Sequence, residues 1–341
     1  MAHHAILVAI TWYPGLSELK GPENDLEDMR QWLLDPDGGA LDDANIKVIK
    51  SSNFPRAATR FQAQPAEIAF KEALAKLLFE PDGVTFRNHV GERLYLYFAG
   101  HGFTSRRLAE AALYTAQASK VDPDHIASKR YAEKIANCAA FDELVLVMDC
   151  CRDVDLSDSI SNPAIKLPDR QALAQTVFLE AYAAGRGQQA REREIPPGGP
   201  VRGLFTYALV DALRKAQGDA NGEVTGTAMK GHILNGWPSY FNGEVPYWPD
   251  IGLPSGQRDI VFARKNAAPR IQVRFVILSP VPAAGTEIVI EDGSRKEVAR
   301  VPYQPHGTAT SLPDGLYKAK LDGTPRSASF DASGASVEVS L

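Results

Sequence analysis

Two short runs constrain this chain more than anything else in it: Arg93-Leu-Tyr-Leu-Tyr-Phe-Ala99 and Leu144-Val-Leu-Val-Met148. A strand that covers a core on one side alternates apolar with polar residues, and these runs do not. They read as central strands of a parallel sheet buried on both faces. In such sheets ligands bind beyond the carboxyl ends of the strands. The residues to weigh first are therefore Gly100-His101-Gly102 after one run and Asp149-Cys150-Cys151-Arg152-Asp153 after the other.

The rest of the chain supplies the partners such strands need. Residues 5–11, 46–50 and 176–182 are further β-type runs, and residues 24–34, 65–79 and 205–216 carry apolar side chains at helical spacing. Asn24 and Asp25 stand where helix caps are expected. Residues 153–171 and 185–202 are rich in Pro, Gly, Arg and charge without apolar periodicity and read as surface loops. Beyond the break at 266–269 come short β-type runs separated by Gly and Pro turns. The expected fold class is α/β, a mostly parallel sheet flanked by helices on both faces in residues 1–265, followed by a small all-β sandwich in 270–341.

Composition narrows the function. A formal net charge of -5 gives no electrostatic footprint for a nucleic-acid partner. The apolar stretch at 5–10 is too short to span a bilayer and no basic residue precedes it. No membrane partner is expected, and the reading is cytoplasmic. Three cysteines, Cys138, Cys150 and Cys151, are an odd number and read as reduced thiols. His89, His125, His232 and His306 have no metal-ligand spacing with one another or with the cysteines, so no metal is expected.

Taken singly, a histidine between glycines is a tight turn and a cysteine at a strand end is a small buried hydrophobe. Together they carry more, because parallel strands bring their C-terminal tips side by side. His101 and Cys151 are 50 residues apart, the separation of the caspase histidine and cysteine. Over nearly all of residues 5–263 the chain resembles the caspase, metacaspase and paracaspase superfamily. The resemblance lies in Ala5-Ile-Leu-Val-Ala-Ile-Thr11, Leu19-Lys-Gly-Pro-Glu-Asn-Asp25, Tyr97-Phe-Ala-Gly-His-Gly102, Asp149-Cys-Cys-Arg152 and Arg202-Gly-Leu-Phe-Thr-Tyr-Ala-Leu209. It implies a caspase-like fold and a cysteine endopeptidase with Cys151 as nucleophile and His101 as its proton-transfer partner. Strand alternation makes the same choice of cysteine, since Asp149 shares a face with Cys151 and not with Cys150. A thiolate attacks a carbonyl carbon far better than a thiol, and a nearby histidine stabilises that ionised form. By the resemblance, the backbone N–H groups of Gly102 and Cys151 form the oxyanion hole.

Metacaspases cut after Arg or Lys, and the resemblance maps their acidic pocket onto Asp25 and Asp149, which would select a cationic side chain. Cleavage after Arg, then Lys, is expected. The competing readings are that Asp25 caps a helix and Asp149 orients a loop. The chain departs from the usual metacaspase pattern at Ala99, where a serine is common, and in Cys150-Cys151-Arg152, which replaces Ser-Cys-His. Lys166, Arg170, Arg186, Arg191, Arg193 and Arg202 populate the two loops, where self-cleavage or an activating protease would cut; solvated loop charge is the plain alternative. Calcium activates many metacaspases, and Asp153, Asp155 and Asp158 raise that hypothesis for Ca²⁺. Their spacing is not an EF-hand, and an acidic surface loop explains them as well. No other cofactor is expected. The expected partner is a protein substrate, the expected state a monomer, and the resemblance suggests a bacterial stress, cell-death or antiviral pathway. Two other readings stand beside this one: an inactive caspase-like scaffold, and a CHAT-type or asparaginyl-type peptidase with a different pocket.

Overall fold

The computed structural model describes all residues except 1, 106–109, 156–159, 164, 170–175, 220, 242–243, 255–257, 265–270, 284, 293–296, 306, 314 and 333–335. The chain divides into two compact units, one of residues 1–217 and 224–264, the other of 218–223 and 265–341.

In chain order the first unit begins with β1 (His3–Ala9), α1 (Pro22–Leu34), β2 (Ile46–Lys50), α2 (Glu67–Leu78) and β3 (Gly91–Ala99). Three short strands follow, β4 (Gly102–Ser105), β5 (Ala112–Tyr114) and β6 (His125–Ile126), then α3 (Ser128–Asn137), β7 (Phe141–Asp149) and β8 (Asp153–Asp155). The remainder is β9 (Val177–Tyr182), β10 (Glu192–Glu194), β11 (Val201–Gly203), α4 (Leu204–Lys215), β12 (Glu223–Thr225), α5 (Gly226–Gly236), β13 (Asp250–Gly252) and β14 (Val261–Arg264). The main sheet has six strands in the order β13-β9-β7-β3-β1-β2, all parallel except the edge strand β13.

Side-chain alternation sorts these strands into two cores. Leu7, Tyr95, Tyr97, Val145, Val147 and Leu179 face one way and pack with Leu26, Met29 and Trp32 of α1, Phe205 and Leu209 of α4, and Met229 of α5. Ile6, Val8, Leu96, Phe98, Leu146 and Met148 face the other way, against Phe70 and Leu74 of α2 and Tyr131 and Ile135 of α3. Residues of both parities are therefore buried, which is why β3 and β7 carry no polar alternation. Asp149 belongs to the parity that faces α1 and α4, and Cys150 to the opposite one.

The two stretches read as loops hold more structure than expected. Residues 153–155 form β8, and 192–194 pair antiparallel with 201–203 as the β10–β11 hairpin. All three are three-residue strands, too short to show periodicity. The first helix also starts earlier than expected, at Pro22 after a Gly21 cap, so Asp25 lies inside its first turn and is not the cap.

The second unit contains β15 (Ile271–Val276), β16 (Glu287–Asp292), β17 (Glu297–Pro302), β18 (Thr308–Leu312), β19 (Gly315–Leu321), β20 (Ser327–Ala332) and β21 (Ser336–Ser340). They make a three-stranded sheet, β18-β15-β21, and a four-stranded one, β17-β16-β19-β20. Val273 and Phe275 of the first share one core with Ile288, Ile290 and Ala319 of the second, which makes a sandwich.

At the end of the main sheet away from the tips, Arg93 and Glu143 are register partners and both buried. Arg93 Nε donates to Glu143 Oε2 at 2.5 Å, and its other nitrogens reach Tyr95 Oη and the Val261 carbonyl, each at 2.8 Å. Removing one member of such a pair strands the other charge in the core. Arg93→Met is predicted to lower unfolding free energy by about 3–5 kcal/mol. Urea denaturation measures this, and a change below about 1 kcal/mol would show that Arg258, 2.6 Å from Glu143, carries the compensation alone.

Candidate active site

The geometry of the site begins with a register. Ala99 at the end of β3 pairs with Asp149 at the end of β7, and past the tips Phe103 of β4 pairs with Asp153 of β8. Both pairings carry the same offset, so the intervening residues 100–102 and 150–152 run side by side and His101 lies level with Cys151. The two residues line one cavity of about 270 Å³, with Gly102, Asp153 and the apolar Leu16, Phe103 and Tyr114.

His101 is held from the β1 side. Gly100 turns the chain at φ +151, where a Cβ would sit 2.5 Å from Tyr13 Oη, so only glycine fits there. The Tyr13 hydroxyl accepts the His101 backbone N–H at 3.0 Å, and the two rings lie 4.9 Å apart. On the imidazole, Nε2 lies 2.9 Å from the Ser17 carbonyl and 3.2 Å from Ser17 Oγ. A carbonyl only accepts, so Nε2 carries the proton and Nδ1 is the basic nitrogen.

Cys151 is half-buried, and its Sγ lies 3.7 Å from the Ala190 carbonyl. The thiol is pushed up to about 11, chiefly by burial and then by the Asp153 and Asp149 carboxylates. Burial and these carboxylates therefore favour the thiol over the thiolate in this arrangement. Cys150 is buried in the core beneath Gly102, where a Cβ on residue 102 would collide with its sulfur.

Behind Cys151 the backbone is clamped. Arg152 is buried, with its guanidinium 2.7 Å from Asp250 and 4.2 Å above the Tyr182 ring. Its N–H donates to the Gln188 carbonyl at 3.0 Å, and its carbonyl accepts from the Gly187 N–H at 2.8 Å. The wall that carries Ala190 is thus tied to the residue next to the candidate nucleophile.

Asp25 and Asp149 converge on the hairpin end. Gly203 N–H donates to both oxygens of Asp25 at 2.9 Å, while Thr206 donates its N–H at 2.9 Å and its hydroxyl at 2.7 Å to Asp149 Oδ2. A Cβ on Gly203 would collide with Asp149 and lie 3.0 Å from Asp25 Oδ2. A third carboxylate, Glu192 on β10, accepts from the N–H groups of Gly21 at 2.7 Å and Lys20 at 3.2 Å. Burial, then Asp149, hold the Asp25 carboxyl well above the usual range, and burial also raises Asp149. Asp28 is neutralised by Arg202 at 2.5 Å, but among the described residues none of Asp25, Asp149 and Glu192 has an ion-pair partner. Sequence reasoning missed Tyr13, Ser17 and Glu192, because each acts through a neighbour that only the fold supplies.

A caspase-domain family model matches residues 2–230. The chain belongs to the caspase-domain peptidases. It is also 28% identical over 222 residues to a Desulfuromonadales bacterium protein named a probable protease, covering 63% of this chain and 26% of that one. The chain thus spans about a quarter of that relative's length. A crystallised Geobacter sulfurreducens protein shares 13% identity at a TM-score of 0.47, covering 77% of this chain and 98% of that one.

For this caspase-domain chain, no described helix is long and apolar enough to cross a membrane. Among the described residues no group of His, Cys, Asp and Glu is arranged to hold a metal ion. Of the three aspartates raised for calcium, Asp153 accepts from Gln189 Nε2 at 3.0 Å, the Asp155 side chain and the whole of Asp158 lie outside the described residues.

Two outcomes follow. Alkylation of Cys151 by iodoacetamide should be slow at neutral pH and still be climbing at pH values near 9, since the thiol ionises only around 11. A plateau in the rate already at neutral pH would mean a preformed thiolate. The second concerns stability. An ionised Asp25 works against folding because its folded pKa is raised, a cost absent at and below the ordinary Asp value of 3.8 and growing as pH rises through the raised one. Asp25→Asn is therefore expected to raise the melting temperature at neutral pH by about 2–4 °C, the shift of roughly 1 kcal/mol in a domain of this size. The gain should vanish in scans at the acid end.

Proposed function

We propose that the chain is a cysteine endopeptidase that cuts protein substrates after Arg, and less well after Lys, using Cys151 and His101. What supports it above all is a level sulfur and imidazole lining one cavity, with Asp149 two residues before the sulfur and, among the described residues, no ion-pair partner for Asp25, Asp149 or Glu192. In this reading the Cys151 thiol turns from Ala190 toward Nδ1 of His101, which takes its proton as the sulfur attacks the scissile carbonyl carbon. The oxyanion is held by the Gly102 and Cys151 N–H groups. Collapse breaks the C–N bond, and the departing amine takes the proton from His101. Water, deprotonated by the same imidazole, then hydrolyses the thioester and returns the thiol.

The raised thiol fits a resting enzyme that ionises only when substrate arrives. Asp25, Asp149 and Glu192 would receive the guanidinium, whose planar fork suits several carboxylates better than the point charge of lysine. Of the basic loop residues, Lys166 is exposed while Arg202 is engaged by Asp28 and by the Ile195 carbonyl at 2.8 Å. Arg186, Arg191 and Arg193 are exposed as well, so activating cleavage is proposed at the exposed basic residues of the two loops and not at Arg202; Arg170 lies outside the described residues. A role in a stress, cell-death or antiviral pathway is part of the proposal through the family resemblance alone.

Fluorogenic peptides differing only in a terminal Arg or its neutral isostere citrulline test the reading. Wild type should prefer Arg by a hundredfold or more in kcat/KM, on the order expected for charge-assisted bonds, and Cys151→Ala or His101→Ala should abolish turnover. As pH falls, KM for the Arg peptide should rise earlier than an ordinary carboxylate would dictate, because Asp25 takes up its proton at higher pH. Retained turnover in Cys151→Ala would end the proposal.

A further inference from the structure

The run Arg202-Gly203-Leu204-Phe205-Thr206 marks the start of α4, and the chemistry proposed above leaves its threonine without a part. We propose that Thr206, backed by Tyr97, is a positioning residue for substrate specificity: it aims the Asp149 carboxylate at a cationic P1 side chain without touching substrate. The inference rests on reading Asp25 and Asp149 as the P1 pocket.

Three elements meet at this point: Tyr97 on β3, Asp149 on β7 and Thr206 on α4. Tyr97 and Thr206 are fully buried. An ionised carboxylate only accepts, so the Thr206 hydroxyl, 2.7 Å from Asp149 Oδ2, uses its one proton there. Tyr97 Oη, 2.8 Å from Thr206 Oγ1, must then be the donor in that contact. The result is a one-way chain from Tyr97 O–H to Thr206 O–H to Asp149, in which each donor is strengthened by the one behind it. Among the other groups around it, burial keeps the Tyr97 phenol protonated and able to donate.

The Thr206 backbone N–H adds a second bond to the same oxygen at 2.9 Å. It is one of the first-turn donors that α4 cannot satisfy internally, and the Gly203 cap has no side chain to serve it. With two donors on Oδ2, the carboxylate is fixed in rotation, and among the described residues no hydrogen bond is made to Oδ1, the oxygen the proposal gives to the ligand. Gly203 does the corresponding service for Asp25 through its own N–H. A helix start that only needed capping would be served by one side chain at residue 203. Here glycine occupies that place, and two carboxylates from other elements cap the helix and face each other across it.

The test uses the full chain and the Arg and citrulline peptides. Thr206→Val removes the hydroxyl at nearly constant shape; it should raise KM for the Arg peptide about tenfold or more, the loss expected of one hydrogen bond to a charged group, with kcat within about threefold. The citrulline peptide should be little affected, so the Arg preference falls. Thr206→Ser should restore it, and Tyr97→Phe should shift it in the same direction by less. Equal losses on both peptides, or a Val variant with an unchanged Arg preference, would overturn the proposal while leaving the pocket reading intact. A wild-type enzyme indifferent to citrulline would sink the pocket reading itself and the proposal with it. Should Thr206→Val not fold, the Tyr97→Phe variant decides: an unchanged Arg preference refutes the proposal, a reduced one supports it.

Discussion

The site depends on one register. Parallel pairing of β3 with β7 joins Ala99 to Asp149, and parallel pairing of β4 with β8 joins Phe103 to Asp153. Neighbouring strands lie about 4.8 Å apart in the hydrogen-bonding direction, so a histidine and a cysteine at matched positions between these pairings cannot be far from one another. The separation of 50 residues in the chain is the same register written as a number. A slip of one residue in β7 would turn Cys150 outward and bury Cys151 under Gly102, and it would carry Asp149 away from α1 and α4. The buried alternation along β3 and β7, with large side chains on both faces, makes that slip costly.

This explains why the placing of His101 level with Cys151 was legible in the sequence and the ring around them was not. Two unbroken apolar strands followed by glycines, a histidine and a cysteine announce both a sheet and the end of it that matters. Tyr13, Ser17 and Glu192 have no such context. Tyr13 and Ser17 sit in the connection after β1, Glu192 in a three-residue strand, and each contributes through a backbone group or a neighbour's side chain that only the folded chain brings near. The same limit applies to secondary structure. α5 was hidden by Gly226, Gly231 and Gly236, yet it forms because Thr225 caps it through the Ala228 N–H at 3.2 Å and Met229 and Ile233 are buried. In α3 the buried Tyr131, Ala132 and Ile135 do have helical spacing, but three small or isolated apolar positions among lysine, arginine and glutamate are a weak signal. In the second unit, β18 and β20 consist largely of Thr, Ser and Ala, which carry little hydrophobic pattern, so only their sandwich neighbours were visible.

The acidic cluster shows how the unit accommodates charge that its core alone would reject. Burying a carboxylate is unfavourable unless it finds donors, and the donors here come mostly from backbone: Gly203 for Asp25, Thr206 for Asp149, Lys20 and Gly21 for Glu192. Backbone N–H groups are well suited to this. They hold an anion without neutralising it, whereas a lysine or arginine would form a closed ion pair and leave nothing for a ligand. The contrast with Asp28 is instructive, since there Arg202 does close the pair and the carboxylate faces no demand from elsewhere.

An unneutralised cluster has a consequence for the resting protein. With Asp25 and Asp149 both raised and adjacent, the empty pair favours holding a proton, and a guanidinium entering between them reverses that preference by stabilising both ionised forms. Cation binding and proton release are then two views of one event. The Cys151 thiol responds to the same field, because the Asp149 and Asp153 charges help to keep it protonated. A cation that neutralises Asp149 removes part of what holds the thiol up, so in the proposed reading occupation of the pocket and ionisation of Cys151 favour each other. Electrostatic linkage of this kind requires no moving part: in the proposed reading, the place of Asp149 two residues before Cys151 is sufficient for a matching side chain to promote ionisation of the thiol.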